Sequence, residues 1–230
     1  AESFSAALGK AGAARVAFSA DLGVSPVDSR VAELCRTAAG RFAEAGIAVE
    51  EAAPELPGVQ ETFHSLRALI YAVTKGDLLP EHRETIKADV VWNIEKGLAL
   101  TLEEIAAAER SRAVLAASAG RFFERYDLLL TPTAIVPPFP VDQRFVDRCA
   151  GVVFDNYVDW LTIAYVPTIL SLPALSLPCG LLDGLPVGLQ IVGPPRGEAA
   201  VLAAARSLEE ILDLDWPLPM DPRTAAADAS

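Results

Sequence analysis

Short apolar runs and a helical segment alternate at the start of this chain. Residues 14–19 and 47–51 have the length and composition of buried strands. Between them, apolar side chains recur every three or four residues, as on one face of a helix: Val31, Leu34, Cys35, Ala38 and Phe42. Ser25 and Pro26 favour a helix start just before this stripe. Strand, helix and strand in this order predict a βαβ unit with parallel strands.

The rest of the chain continues the same mixture of strands and helices. Apolar runs predict further strands at residues 127–130, 174–179 and 185–193. Helical patterns cover residues 58–79, 84–97, 101–125, 145–165 and a segment from Gly197 onward. The sequence therefore predicts an α/β fold, a mixed and mostly parallel sheet with helices on both faces. Residues 1–221 should form a single unit, and residues 222–230 a frayed tail.

The longest predicted helix has a clear start signal. Thr101 and Glu104 have the spacing of a capping box, in which each residue satisfies a free backbone N–H of the other. The apolar positions that follow predict the side chains that this helix buries: Leu102, Ile105, Ala106, Ala113, Ala117 and Phe122.

Charge and hydropathy exclude two classes of partner. The net charge of −12 disfavours nucleic acid and anionic membrane surfaces, since both are bound through Lys and Arg. Residues 152–182 are strongly apolar, but Asp155, Pro167 and Pro173 leave no uninterrupted stretch of about 18 apolar residues. We therefore expect this segment to be buried core. The positive mean hydropathy of +0.32 indicates either a thick core or a face that meets more protein.

The cysteines and histidines do not have the spacing of metal ligands. Cys35, Cys149 and Cys179 are far apart in the sequence and odd in number, so we expect buried free thiols in a reducing compartment such as the cytoplasm. His64 and His82 are separated by a proline and form no helical pair, and structural or surface roles are expected for both. The sequence predicts no metal site and no cofactor.

Nucleophile motifs are also absent. The sequence has no HExxH, GxSxG, SxxK or phosphate-binding loop, and its paired glutamates fall at strand ends or on helix faces. No catalytic residue is predicted from the sequence itself.

The C-terminal third nevertheless resembles one family closely. Residues 168–180 follow a pattern N-x-x-G-x-P-A-x-S-x-P-x-G, with Pro173, Ala174, Ser176, Pro178 and Gly180 in place. The run Gly-Leu-Pro-Val-Gly-Leu-Gln at 184–190 and the strand end at 127–133 also fit. These segments resemble the amidase signature family over nearly the whole chain, most weakly over residues 55–100.

The resemblance also shows what differs. Thr168 stands where the family usually has Asn, and Ser171 where it usually has Gly. Family enzymes use a Ser–cis-Ser–Lys triad whose nucleophilic serine lies in a Gly/Ser-rich segment, and no such segment occurs in these residues. The resemblance therefore implies the C-terminal half of an amide hydrolase, which carries part of a substrate pocket but is inactive by itself.

The resemblance further implies the partners and the site. The full-length enzyme would bind a small amide, and Trp160, Tyr165, Thr168 and Ile169 would face the missing half and shape the acyl pocket. Their apolar composition suits such a pocket, although aromatic residues here are equally typical of core. The isolated chain should pair with a second copy or with the missing N-terminal half. Two alternatives remain open: a non-catalytic binding or assembly module, and a fragment of a glutamine-dependent tRNA amidotransferase.

Overall fold

Five strands form a mixed sheet in the computed structural model, which describes residues 3–8 and 13–214. The strands in this sheet are β1 (Arg15–Phe18), β2 (Ala48–Glu51), β3 (Leu128–Pro132), β6 (Ala174–Leu182) and β7 (Leu185–Val192). Their order is β2-β1-β3-β7-β6. β1 is parallel to β2 and β3, whereas β7 is antiparallel to β3 and β6, so β7 runs against the other four. The predicted strands and the parallel βαβ unit are confirmed.

The helices cover both faces of the sheet, as the sequence predicts. They are α1 (Phe4–Ala7), α2 (Ser29–Glu44), α3 (Val59–Lys75), α4 (Leu79–His82), α5 (Ala88–Leu98), α6 (Leu102–Phe123), α7 (Thr162–Ile169) and α8 (Glu198–Leu212). α2 and α8 pack on one face of the sheet, and α6 and α7 pack on the other. The tail predicted at residues 222–230 lies outside the described residues, and the single-unit boundary stays a prediction.

The strand residues alternate between two hydrophobic cores. Leu128 and Leu130 of β3 point to the core under α2 and α8, whereas Leu129 between them points to the core under α6 and α7. All three side chains are buried. Because both faces of the sheet are covered, the central strands read as continuous apolar runs rather than alternating ones.

The first long helix starts later than the sequence predicts. Asp28, not Ser25, is the N-cap of α2, and its carboxylate accepts a hydrogen bond from the backbone N–H of Arg30 at 2.9 Å. The backbone N–H of Asp28 donates to the carbonyl of Ile135 at 2.8 Å. This tertiary contact holds residues 26–28 outside the helix, and an aspartate is as good an N-cap as a serine.

The capping box of α6 is confirmed, but its buried stripe is not the predicted one. The backbone N–H of Glu104 donates to Thr101 Oγ1, and the N–H of Thr101 donates to Glu104 Oε2. The buried residues are Ala108, Leu115, Ser118, Ala119 and Phe122, so of the predicted stripe only Phe122 is buried. Leu102 is 82% exposed. The helix is alanine-rich along its length, so hydropathy alone does not fix which face packs on the sheet.

The prediction of a helix over residues 145–165 is wrong for most of that segment. A two-stranded hairpin stands there, β4 (Arg148–Cys149) with β5 (Val152–Val153), followed by a 3-10 turn over Asp159–Leu161. Gly151 closes the hairpin with a φ of 84°, a value that glycine adopts without strain. The carboxamide oxygen of Asn156 then accepts the N–H of Val158, which forms a local turn instead of a helix.

The three cysteines are buried free thiols, as predicted. The sulfur atoms of Cys35 and Cys179 lie 3.9 Å apart between α2 and β6. Hydrogen bonding to Cys179 and burial raise the pKa of Cys35, so this thiol stays protonated at neutral pH.

Candidate functional site

A cavity of about 250 Å³ opens between α3 and the C-terminal end of α7. The predicted site residues Thr168 and Ile169 both line it. Ile169 is buried and Thr168 is exposed, so an apolar and a polar group lie side by side at one end of α7. The opposite wall is one face of α3, formed by Phe63, Leu66, Arg67, Ile70 and Tyr71.

Tyr165 lies behind this wall rather than in the cavity. Its ring stacks on Phe63 with the centroids 3.6 Å apart and the planes 4° from parallel. Its hydroxyl is hydrogen-bonded to Thr162 Oγ1 at 3.1 Å. Burial raises the pKa of Tyr165 to about 12, so the phenol stays neutral at neutral pH. Tyr165 therefore fixes the orientation of Phe63, which does line the cavity.

Trp160 lies in a different groove. This groove has a volume of about 150 Å³ and is lined by the proline-rich segment after β3 and by the start of β7. The Trp160 ring meets Phe139 edge-to-face, with the centroids 5.7 Å apart. Of the four predicted site residues, the structure thus brings Thr168 and Ile169 into one cavity, places Tyr165 behind its wall and places Trp160 elsewhere.

The α3 side of the cavity was missed by the sequence reasoning. Phe63, Arg67, Ile70 and Tyr71 recur at spacings of three and four residues, so they lie on one face of α3. The signal that could have found them is an arginine within an otherwise apolar and aromatic helical stripe. A solvated arginine would be expected on the opposite face.

His64 occupies a partly buried position next to this region. Its Nε2 lies 3.1 Å from Asp159 Oδ1, although the alignment is too poor for a hydrogen bond. Burial and the charge of Lys96 lower the pKa of His64, more than Asp159 raises it. His64 is therefore neutral at neutral pH, which fits the structural role expected for it.

The serines in the described residues lack an activating base. Ser176 is hydrogen-bonded to the hydroxyl of Thr133 at 2.7 Å, and Ser111 accepts from Thr62. No serine side chain of residues 3–8 and 13–214 is hydrogen-bonded to a histidine, a lysine or a carboxylate. A serine attacks an amide carbonyl only when such a group takes its proton.

The described residues contain no cluster of three or more His, Cys, Asp or Glu side chains suited to a metal ion. No helix in the same residues has both the length and the apolar character that crossing a bilayer requires.

Comparison with known proteins assigns the chain to a family. Residues 2–202 match the sequence model of the family described as Amidase. The chain belongs to the amidase family. An acylamidase of Rhodococcus erythropolis is 30% identical over 201 residues, which is 86% of this chain and 42% of that amidase. A glutamyl-tRNA(Gln) amidotransferase subunit of Moorella thermoacetica is 43% identical over 88 residues, 38% of this chain and 17% of the relative.

A solved amidase structure has the same fold. A bacterial aryl acylamidase of the amidase signature family superposes with a TM-score of 0.81 at 25% identity, over 94% of this chain and 49% of that one. The chain thus spans less than half the length of the amidase relatives it matches. Ser171, where the resemblance implies a glycine, has a φ of 55°. Glycine adopts this left-handed conformation more readily than serine does.

Proposed function

We propose that this chain forms one wall of the acyl pocket of an amide hydrolase. The observation that carries the proposal is the cavity between α3 and α7, which contains Thr168 at the position where the family pattern has its asparagine. Apolar walls with a few polar groups are typical of pockets that bind small molecules. Membership of the amidase family supplies the reaction class, the hydrolysis of a carboxamide to a carboxylic acid and ammonia or an amine.

Different residues of the cavity would bind the apolar and the polar parts of the substrate. Phe63, Leu66 and Ile169 would pack against the hydrocarbon part of the acyl group, while the Thr168 hydroxyl would orient a polar atom near the carbonyl. Tyr165 would hold the Phe63 ring in place by stacking. Trp160 was expected in the same pocket, and it would contribute only if the substrate also reached the groove next to Phe139.

The attacking group would come from outside these residues. Since the serines described here lack a base, an acyl-serine mechanism needs a serine and a lysine that another part of the protein supplies. The isolated chain is therefore proposed to be inactive. It would complete its fold against the remainder of the enzyme or against a second copy of itself.

The proposal is tested by assaying the full-length protein for ammonia release from hexanamide, benzamide, adipamate and glutamine. Hydrolysis of hexanamide, benzamide or adipamate supports an amide hydrolase. Failure to hydrolyse any of the four would contradict it and favour a non-catalytic binding or assembly module.

The second candidate is part of a glutamine-dependent tRNA amidotransferase. The observation that favours it is the 43% identity to the amidotransferase subunit of Moorella thermoacetica, higher than the identity to the acylamidase although over fewer residues. In the same assay, ammonia release from glutamine alone, with no turnover of hexanamide, benzamide or adipamate, would favour this candidate.

Replacing Thr168 with asparagine, the usual family residue, should change substrate preference more than stability. Thr168 is exposed at the cavity, so the substitution should change the free energy of unfolding by less than about 0.5 kcal/mol. Relative kcat/KM across a panel of aliphatic and aromatic amides should change by roughly fivefold, since a changed hydrogen bond is worth about 1 kcal/mol. Thr74→Asn is the matched control, because Thr74 is also exposed and its hydroxyl donates to the backbone carbonyl of Ile70. An unchanged panel for Thr168→Asn would remove this residue from the site.

A further inference from the structure

Arg67 places a positive charge on the α3 wall of the cavity. It lies one helical turn from both Phe63 and Tyr71 and is half-buried. Its Nη2 donates hydrogen bonds to two tyrosine hydroxyls, Tyr71 at 3.1 Å and Tyr157 at 2.9 Å. The guanidinium is therefore held in position by groups from two separate parts of the chain.

Aromatic rings surround the Arg67 guanidinium. Its central carbon lies 4.8 Å from the ring centroid of Tyr71, 5.7 Å from that of Tyr157 and 5.9 Å from that of Phe63. Each distance is within the range of a cation–π contact. These contacts restrict the side chain and shield part of it from water, but an aromatic ring supplies no negative charge to neutralise the guanidinium.

The charge of Arg67 is not paired with an acid in the described part of the chain. No carboxylate oxygen of residues 3–8 and 13–214 lies within 4.0 Å of its guanidinium. Arg112, the other arginine at this cavity, is paired with Glu109 at 2.7 Å. Among the described residues, Arg67 Nε is buried and has no hydrogen-bond acceptor. Nη1 has no acceptor there either, but it keeps accessible surface. Nη1 can therefore donate to a ligand.

We propose that Arg67 binds a carboxylate on the acyl part of the substrate, so that the pocket selects amides of dicarboxylic acids. This inference rests on the proposed function and names its substrate class. A cation in an apolar, aromatic setting attracts an anion strongly, because little water competes for it. A carboxylate suits a single planar guanidinium, and the apolar walls of the 250 Å³ cavity would hold a short hydrocarbon chain between carboxylate and amide.

Equilibrium binding to the wild-type full-length protein tests the site without any turnover. The probes are 6-oxoheptanoate and 2-heptanone, ketones of equal length that differ by one carboxylate. Calorimetry should show 6-oxoheptanoate binding roughly 10- to 100-fold more tightly, the range for hydrogen bonds to charged groups. Equal affinity for the two ketones would overturn the proposal.

Substitution assigns the preference to Arg67. Arg67→Gln should remove the advantage of 6-oxoheptanoate, and Arg67→Lys should keep part of it, because it keeps the charge but not the planar fork. Arg110→Gln is the matched control, since it removes one positive charge from an exposed position of α6. Loss of the preference in Arg110→Gln to the same extent would mean that net charge, and not the site, selects the anion.

Kinetics of the same variants separate a binding role from a structural one. For adipamate, the carboxylate-bearing counterpart of hexanamide, Arg67→Gln should lower kcat/KM roughly 10- to 100-fold through a higher KM, with hexanamide changed less than about twofold. An equal loss for both amides would indicate a structural role and contradict the proposal. If neither amide is hydrolysed, the proposed function fails, while the ketone titrations still test the site. If Arg67→Gln does not fold, the wild-type ketone comparison decides.

Discussion

Replacing Gly97 with alanine is expected to destabilise the protein by up to about 2 kcal/mol. Gly97 is buried where α5 crosses α3, and a Cβ there would lie 2.0 Å from the carbonyl oxygen of Ala68 and 2.8 Å from the Cβ of Ala72. The two helices must separate to admit it, and overpacking of this kind costs about 1–3 kcal/mol. The cost exceeds the gain in helix propensity of about 1 kcal/mol. Urea unfolding monitored by circular dichroism measures the difference.

Gly120→Ala is the matched control for this prediction. Gly120 also lies within a long helix, α6, but a Cβ there would meet no atom within 4 Å. Alanine should therefore stabilise the protein at this position, by up to about 1 kcal/mol. A Gly97→Ala variant as stable as Gly120→Ala would show that α5 does not press on α3. Since α3 forms one wall of the cavity, that result would also count against the position of α3 on which the proposed pocket depends.

The isolated 230-residue chain is expected to self-associate at micromolar concentration. β6 is an edge strand of nine residues with no charged side chain. Pro178 and the bulge beside it protect the middle of this edge, but residues 174–177 and 180–182 on either side can pair with another strand. The other edge, β2, carries Glu50 and Glu51, which are paired with Arg15 and Arg36. Such charges protect an edge. The net charge of −12 opposes association only weakly at physiological salt, where exposed charges are screened within about 8 Å.

Two leucine-to-lysine variants locate the contact surface. Leu181 is 48% exposed on β6, so the fold should tolerate its replacement by lysine. The Leu181→Lys variant should no longer self-associate, because a charge at the edge opposes strand pairing. Leu102, 82% exposed on α6, is the control and should leave association unchanged. Sedimentation over a range of concentrations measures both. A wild-type chain that stays monomeric and does not bind a hydrophobic dye would contradict the prediction and favour a self-contained module.

The sheet could be predicted from the sequence because its signals are local. Strands buried on both faces read as short apolar runs, so residues 14–19 and 127–130 were identifiable without any knowledge of their neighbours. The order of the helices followed from the same periodicities. The hairpin at β4 and β5 was missed because its turn depends on the positive φ of Gly151. The helix predicted beyond the hairpin is replaced by a turn that the hydrogen bond of Asn156 stabilises.

The candidate site was only partly predictable, because it depends on long-range packing. Thr168 and Ile169 were identified from the resemblance to the amidase signature family, and they share a cavity. Arg67 was not identified, since its significance comes from Tyr157, 90 residues away in the chain. Tyr165 has the composition of a pocket residue, yet its stacking on Phe63 places it behind the wall. No pattern along the chain shows that Tyr165 lies behind the wall rather than in it.

Labelling with a serine-directed fluorophosphonate tests most directly whether this chain holds a substrate pocket without its own nucleophile. The purified 230-residue chain is incubated with the reagent, and its intact mass is compared with that of the full-length protein treated in the same way. The chain should gain no mass, because its described serines lack a base, whereas the full-length protein should gain one adduct at a serine outside these residues. Stoichiometric modification of the isolated chain, at Ser171, Ser176 or any other serine, would contradict the account.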